Sequence, residues 1–171
     1  DQPYVVPMAY ARKGDQLLIH GSIASRLVKN LAAGLSCCVT VTHFDGLVYA
    51  RSTFNSSMNY RSVMVFGVAK PIIDADEKRL CVQKLVDHLM PGSRAELRKS
   101  TIKERNATSL LALPIETFST KCRTGPPEDS KSDLDAQVWA GVVPLNLTPG
   151  EPVDAPDLLP GIKRPGYLMS E

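Results

Sequence analysis

The chain has 171 residues, 43% of them apolar and 22% charged, with a formal net charge of +2. This is the size and composition of one globular domain with a sizeable core. The balanced charge, the lack of a Lys/Arg-rich block and the lack of any apolar run of ~18–20 residues argue against a nucleic-acid-binding or membrane protein.

Residues 4–12 (YVVPMAYAR) read as extended, Lys13-Gly14-Asp15 as a tight turn, and residues 16–20 (QLLIH) as the second strand of a hairpin. After His20-Gly21-Ser22 a helix is predicted from a Ser25 cap through Ala33, with Leu27, Val28 and Leu31 on one face and Gly34 as its stop. Residues 36–43 (SCCVTVTH) form a β-branched strand. Asp45-Gly46 then reads as a two-residue turn into a return strand at 47–51, the strongest hairpin signal in the chain.

A polar segment at 52–59 leads into a nearly continuous apolar strand at 60–68 (YRSVMVFGV). A helix is predicted from Asp74 or Asp76 to His88, closed by Pro91-Gly92, and a shorter one over 100–106. Residues 109–114, 116–122 and 139–145 are the remaining strands, and 124–133 (TGPPEDSKSD) is a loop. A proline-rich tail at 148–171 follows a domain of residues 1–147. Short strands with hairpin turns and few helices predict a mainly β protein with α decorations, an antiparallel barrel.

Cys37, Cys38, Cys81 and Cys122 form no CxxC pair and have no His at zinc-ligand spacing, so no metal site is expected. One of Cys37 and Cys38 is expected in the core, and the thiols fit a reducing, cytoplasmic compartment. The chain opens at Asp1, three residues before a strand-like run, and the natural protein is expected to extend further upstream.

No GxSxG, HExxH, Walker or glycine-rich dinucleotide motif is present, and His20, His43 and His88 fall on three different elements. The stretch Gly21-Ser22 to Ser25-Arg26 has two readings. It is either a turn with an N-cap, or an anion site where a strand gives way to a helix. Residues 56–62 (SSMNYRS) concentrate polar donors at a strand start, with Tyr60 and Ser62 on one face and Arg61 on the other. Lys121 and Arg123 alternate out of a strand, either into a cleft or into water. Trp139 is either core or a stacking partner.

Taken in order, YVVPMAYARKGDQLLIHGSIASRLVKNL, VTVTHFDGLVYARS, SSMNYRSVMVFGVA, FSTKCRTGPPED and VWAGVVPL resemble the pyridoxamine-phosphate-oxidase-related flavin-nucleotide-binding proteins. The resemblance implies an FMN-binding split β-barrel of about six antiparallel strands. It also implies a homodimer with FMN at the subunit interface, and an N-terminal helix and first strand that this chain lacks. More distantly, the chain is similar to pyridoxamine-phosphate oxidases and nitroimidazole-resistance reductases.

By the same resemblance, Pro7, Met8, Ala9 and Tyr10 match a strand whose backbone meets the flavin ring edge. Ile19, His20 and Gly21 match the strand end beside the ribityl chain. Ser22 joins Ser25 and Arg26 at the phosphate, where the oxidases carry a Ser-Arg-Lys clamp. Leu27 replaces the clamp lysine here, with Lys29 as a substitute, and Ser62 stands where the oxidases place a glutamine. Lys121, Arg123 and Trp139 are implied to approach the flavin from the region near the partner subunit.

The function implied is an FMN-dependent oxidoreductase acting on an unidentified small molecule, in which the flavin does the chemistry and the protein binds and orients it. A non-enzymatic flavin-binding or sensing protein is the alternative. So is a haem-binding split barrel, for which His20 or His43 would be the axial ligand. FMN is the expected cofactor, with FAD and haem behind it; neither nucleic acid nor membrane is expected as a partner.

Overall fold

The computed structural model describes residues 2–168; the last three residues of the predicted tail, and Asp1 of the predicted domain, lie outside the described residues. The described chain falls into two compact units. One is built from residues 2–37, 66–117 and 152–168, the other from residues 38–65 and 118–151.

In the first unit, Gly14 and Asp15 reverse the chain between β1 (Tyr10–Lys13) and β2 (Gln16–Ser22), with Lys13 opposite Gln16. Gly14 has φ +57°, the left-handed value that a glycine-first two-residue turn requires. The predicted hairpin is therefore present, but its first strand starts at Tyr10. Pro7, Met8 and Ala9, expected in that strand, lie in an irregular segment before it. Pro7 has no N–H to give a ladder.

β2 is a central strand in the order β1-β2-β6-β5, with β5 at Lys70–Pro71 and β6 at Thr108–Pro114. The β2–β6 register sets Leu17 opposite Leu113, Leu18 opposite Ala112 and Ile19 opposite Leu111. Consecutive buried residues on both strands mean that both faces of the sheet are covered.

On one face, Ala11, Leu18, Leu110 and Ala112 pack with Cys81 and Leu85 of helix α2 (Ala75–Leu89). Fully burying each leucine contributes about 1.5–3 kcal/mol. Asp74 caps α2, its carboxylate accepting from the Glu77 N–H at 2.7 Å, and Lys13 ties β1 to the helix through Glu77 at 2.6 Å. Toward the other face, helix α1 (Arg26–Ala32) buries Val28 and Leu31. A Cβ on Gly21 would lie 2.7 Å from Val28 Cγ2, so this close approach of helix to strand requires glycine. Helix α3 (Ile102–Ala107) carries a full capping box between Thr101 and Glu104.

The second unit is a four-stranded sheet in the order β7-β4-β3-β8, with β3 at Ser36–Tyr49, β4 at Ser57–Val68, β7 at Thr117–Arg123 and β8 at Gly141–Pro144. The architecture is mainly β, two antiparallel sheets neither of which closes on itself.

Here the sequence reading needs correction. Asp45-Gly46 makes no turn, and β3 runs straight through it for 14 residues. Neither residue has a positive φ, which a two-residue Asp-Gly hairpin turn demands. Gly46 instead sits opposite Pro144, and a Cβ there would meet Val142 Cγ1 at 3.0 Å and the Val143 carbonyl oxygen at 3.1 Å. The inward-facing positions shift from odd to even numbers between Val41 and Gly46, so the pair marks an irregularity within a strand.

The reversal comes later, through the polar segment. Ser56 Oγ accepts from the Ala50 N–H and donates to the Ser52 carbonyl, and Ser52 Oγ accepts from the Asn55 N–H. Of the cysteines, Cys81 is fully buried, whereas Cys37 is half-buried and Cys38 exposed. The core cysteine is thus not one of the adjacent pair.

Candidate functional site

The junction between β2 and α1 carries most of the residues singled out in the sequence. Ser25 takes the N-cap position with extended dihedrals, but its hydroxyl makes no capping bond. The turn is held by Ser22, whose hydroxyl accepts from the Ala24 N–H at 3.1 Å and whose carbonyl accepts from the Ser25 N–H at 3.0 Å. Seven residues make α1 too short for its dipole to act as an anion site, so the charge available at this junction is that of Arg26.

Arg26 is exposed and places its guanidinium over an aromatic ring, its Cζ 4.1 Å from the centroid of Tyr4. Among the described residues its guanidinium makes no hydrogen bond or ion pair. An arginine held over a ring with no other partner keeps its N–H donors for an external acceptor.

His20 is exposed at the same end of β2, opposite Leu110. Ile19 is 2% exposed and forms part of the core, so its side chain is not available to a ligand. Met8 is half-buried and reaches within 4.0 Å of the position a Cβ would occupy on Gly21, while Tyr10 rests its ring on His88 at 5.4 Å. Pro7, Met8, Ala9, Tyr10, His20, Gly21, Ser22, Ser25 and Arg26 thus fall within one unit, around one strand end and the arm that leads into the hairpin.

The other four candidates lie in the second unit. Ser62 shares a 2.8 Å hydroxyl–hydroxyl bond with Thr42 on the neighbouring strand. Arg123 donates to Asn59 Oδ1 at 2.7 Å, and buried Asn59 passes a bond on to the Gly125 carbonyl, fastening the loop after β7. Lys121 stands 6.0 Å above the Tyr60 ring. Trp139 lies just before β8, 65% exposed, tilted against Tyr49 at 5.8 Å and crowding Gly141, where a Cβ would come within 2.7 Å of it.

Arg61, on the strand face away from Ser62, grips Asp45 with both prongs at 2.8 and 2.9 Å. That bond holds the Asp45 carboxyl below its ordinary range and raises the guanidinium.

Among the described residues no three of His, Cys, Asp and Glu converge in a way that could hold a metal ion. No helix among them is long and apolar enough to cross a membrane. A cleft lined by Lys13, Asp15, Gln16, Lys70, Pro114 and Glu116 opens at the end of β2 remote from His20 and contains none of the predicted residues.

Tyr4 is the residue that sequence reasoning missed. It belongs to no periodic element, and its only signal is a single aromatic side chain in the arm before the hairpin.

Two antiparallel four-stranded sheets, neither closed on itself, define a protein of the split-barrel class. Residues 1–122 match the family model for pyridoxamine 5'-phosphate oxidase, and the chain belongs to the pyridoxamine 5'-phosphate oxidase-like family.

Among solved structures, the chain is similar to the FAD and heme binding protein from Mycobacterium smegmatis, at 44% identity and a TM-score of 0.93. That match covers 98% of this chain and 82% of the other. It is also similar to the flavocytochrome Anf3 from Azotobacter vinelandii, at 40% identity and a TM-score of 0.91, over 98% of this chain and 78% of the other. No curated protein matches the chain.

Proposed function

We propose that this protein is a flavin-nucleotide-binding oxidoreductase that carries haem as a second redox group, with FAD in place of the FMN expected from sequence. The observation that carries the flavin part is Arg26, fixed against Tyr4 with its donors unspent beside the hydroxyls of Ser22 and Ser25. This donor set suits the phosphate of a flavin nucleotide. The dinucleotide and the haem rest on the two similar structures, whose names carry FAD and heme in one case and flavocytochrome in the other.

When bound, the flavin would supply electron and hydride transfer and the haem one-electron transfer. This chain's own part is to bind and orient. Arg26, Ser22 and Ser25 would hold the phosphate, with His20 beside them. The backbone of residues 7–10 would lie along the flavin ring edge. Exposed His20 or His43 would be the residue to hold the haem iron. A homodimer is part of the proposal, as the resemblance in sequence implies. An FMN-dependent enzyme without haem is the second reading, as the resemblance in sequence implies.

The test is an absorption spectrum of the purified protein with mass identification of what denaturation releases. Flavin bands together with a Soret band, and FAD and haem released, support the proposal. Flavin bands alone with FMN released support the second reading. A protein that is colourless and takes up neither flavin on addition loses both.

A further inference from the structure

The segment before β1 is not a loose leader. Met8 reaches to within 4.0 Å of the Cβ position at Gly21, and from there the arm runs back so that Tyr4 lies under the guanidinium of Arg26. Val5 between them is 98% exposed and Tyr4 itself 51% exposed, so the ring is not there to fill a core. Its one described aromatic or charged contact is Arg26.

We infer that Tyr4 is a positioning residue for anion binding: it holds the Arg26 guanidinium over its ring so that the N–H groups are kept for the phosphate of an incoming flavin nucleotide. This deepens the flavin reading above and rests on it. The physical case has three parts. A long arginine side chain loses considerable rotamer freedom when a ligand orders it, and stacking removes that freedom before the ligand arrives. The contact with the ring spends none of the guanidinium's hydrogen bonds, whereas phosphate oxygens are bound through its N–H groups, so the two contacts do not compete. The remaining clamp is also thin, because Leu27 stands next to Arg26 where a second cation would help and the helix's other cation, Lys29, follows three residues later.

The test compares FAD, FMN and riboflavin binding, by flavin fluorescence titration, to the unaltered protein, Tyr4→Ala and Tyr4→Phe. Riboflavin has the ring and the ribityl chain but no phosphate. Tyr4→Ala is expected to weaken FAD and FMN roughly two- to five-fold, the fold-change of an exposed cation–π contact, and to leave riboflavin unchanged. Tyr4→Phe, which keeps the ring, is expected to restore nucleotide binding.

Equal losses for all three flavins would make Tyr4 a general structural element and overturn the inference, as would no loss at all or a failure of Phe to rescue. If the unaltered protein binds no flavin, the proposed function falls and this inference with it. Intact flavin binding with an indifferent Tyr4 removes the inference alone.

Discussion

Arg51 holds Asp129 twice over, its backbone N–H donating to Oδ1 at 2.8 Å and its Nη1 donating to Oδ2 at 2.9 Å, with the aspartate side chain only 2% exposed. The pair fastens the loop after β7 to the end of β3. It is a costly arrangement, since Arg51 Nε is itself buried without a partner. Removing one member of a buried pair strands the other. Asp129→Ala should therefore destabilise the protein by about 3 kcal/mol, the lower end for such pairs because Arg51 keeps 28% exposure. Asp129→Asn keeps an acceptor for the Arg51 N–H and should lose less. Urea unfolding of both variants checks this, and equal midpoints for Ala and the unaltered chain would refute it.

Gly46 offers a second prediction, opposed to the one its sequence context suggests. As a turn glycine it would tolerate substitution according to its φ. As a strand glycine facing Val142 Cγ1 and the Val143 carbonyl oxygen at 3.0 and 3.1 Å, it resists any added bulk. Gly46→Val should push β8 away from β3 and destabilise by about 1–3 kcal/mol, in the range of overpacked cores. Thermal unfolding reads the loss, and hydrogen exchange at β8 amides should rise with it. Unchanged protection there would mean that β8 is not held at Gly46.

These two cases show what a sequence makes visible. The Gly14-Asp15 hairpin, the Asp74-capped helix and the leucine-rich β6 were legible because local turn chemistry, capping and periodicity agreed with the fold that formed. Asp45-Gly46 was misread because the dipeptide suits a turn and a strand equally well. The choice was made by Pro144 and Val142, almost a hundred residues on, and by Arg61 taking up the Asp45 carboxylate. In the site, Ser22, Ser25 and Arg26 stood out by type and position. Tyr4 did not, because a stack between an irregular arm and a helix start leaves no periodicity to read.

The acid side of the stability profile should carry a signature of α3. Arg98 donates to Glu104 at 2.9 Å and the Thr101 N–H donates to the same oxygen, which together lower the Glu104 carboxyl from 4.5 to about 2. A carboxyl more acidic in the folded than in the unfolded chain means that the unfolded chain binds the extra proton between those values. Stability from this group is thus complete above about pH 4.5 and is lost as pH falls toward 2. Glu104→Gln removes that contribution, so its unfolding midpoint should fall less steeply across this window. Some slope remains, because Asp45 and Asp154 are also lowered by their arginine partners. Superimposable pH profiles for variant and parent would contradict the assignment.

The last prediction concerns the cation itself. If Arg26 binds the phosphate through its free edge, Arg26→Ala should weaken FAD or FMN binding by about 1.5–3 kcal/mol, the range for hydrogen bonds to charged groups. That is a larger effect than removing Tyr4, since the ring only positions what the guanidinium does. Arg26→Lys tests whether charge suffices. Lysine keeps the charge but has neither the planar guanidinium nor two parallel donors, so it should recover only part of the loss. Riboflavin affinity should stay level across the whole series. Should Arg26→Ala bind all three flavins as the parent does, the phosphate lies elsewhere and Arg26 leaves the site.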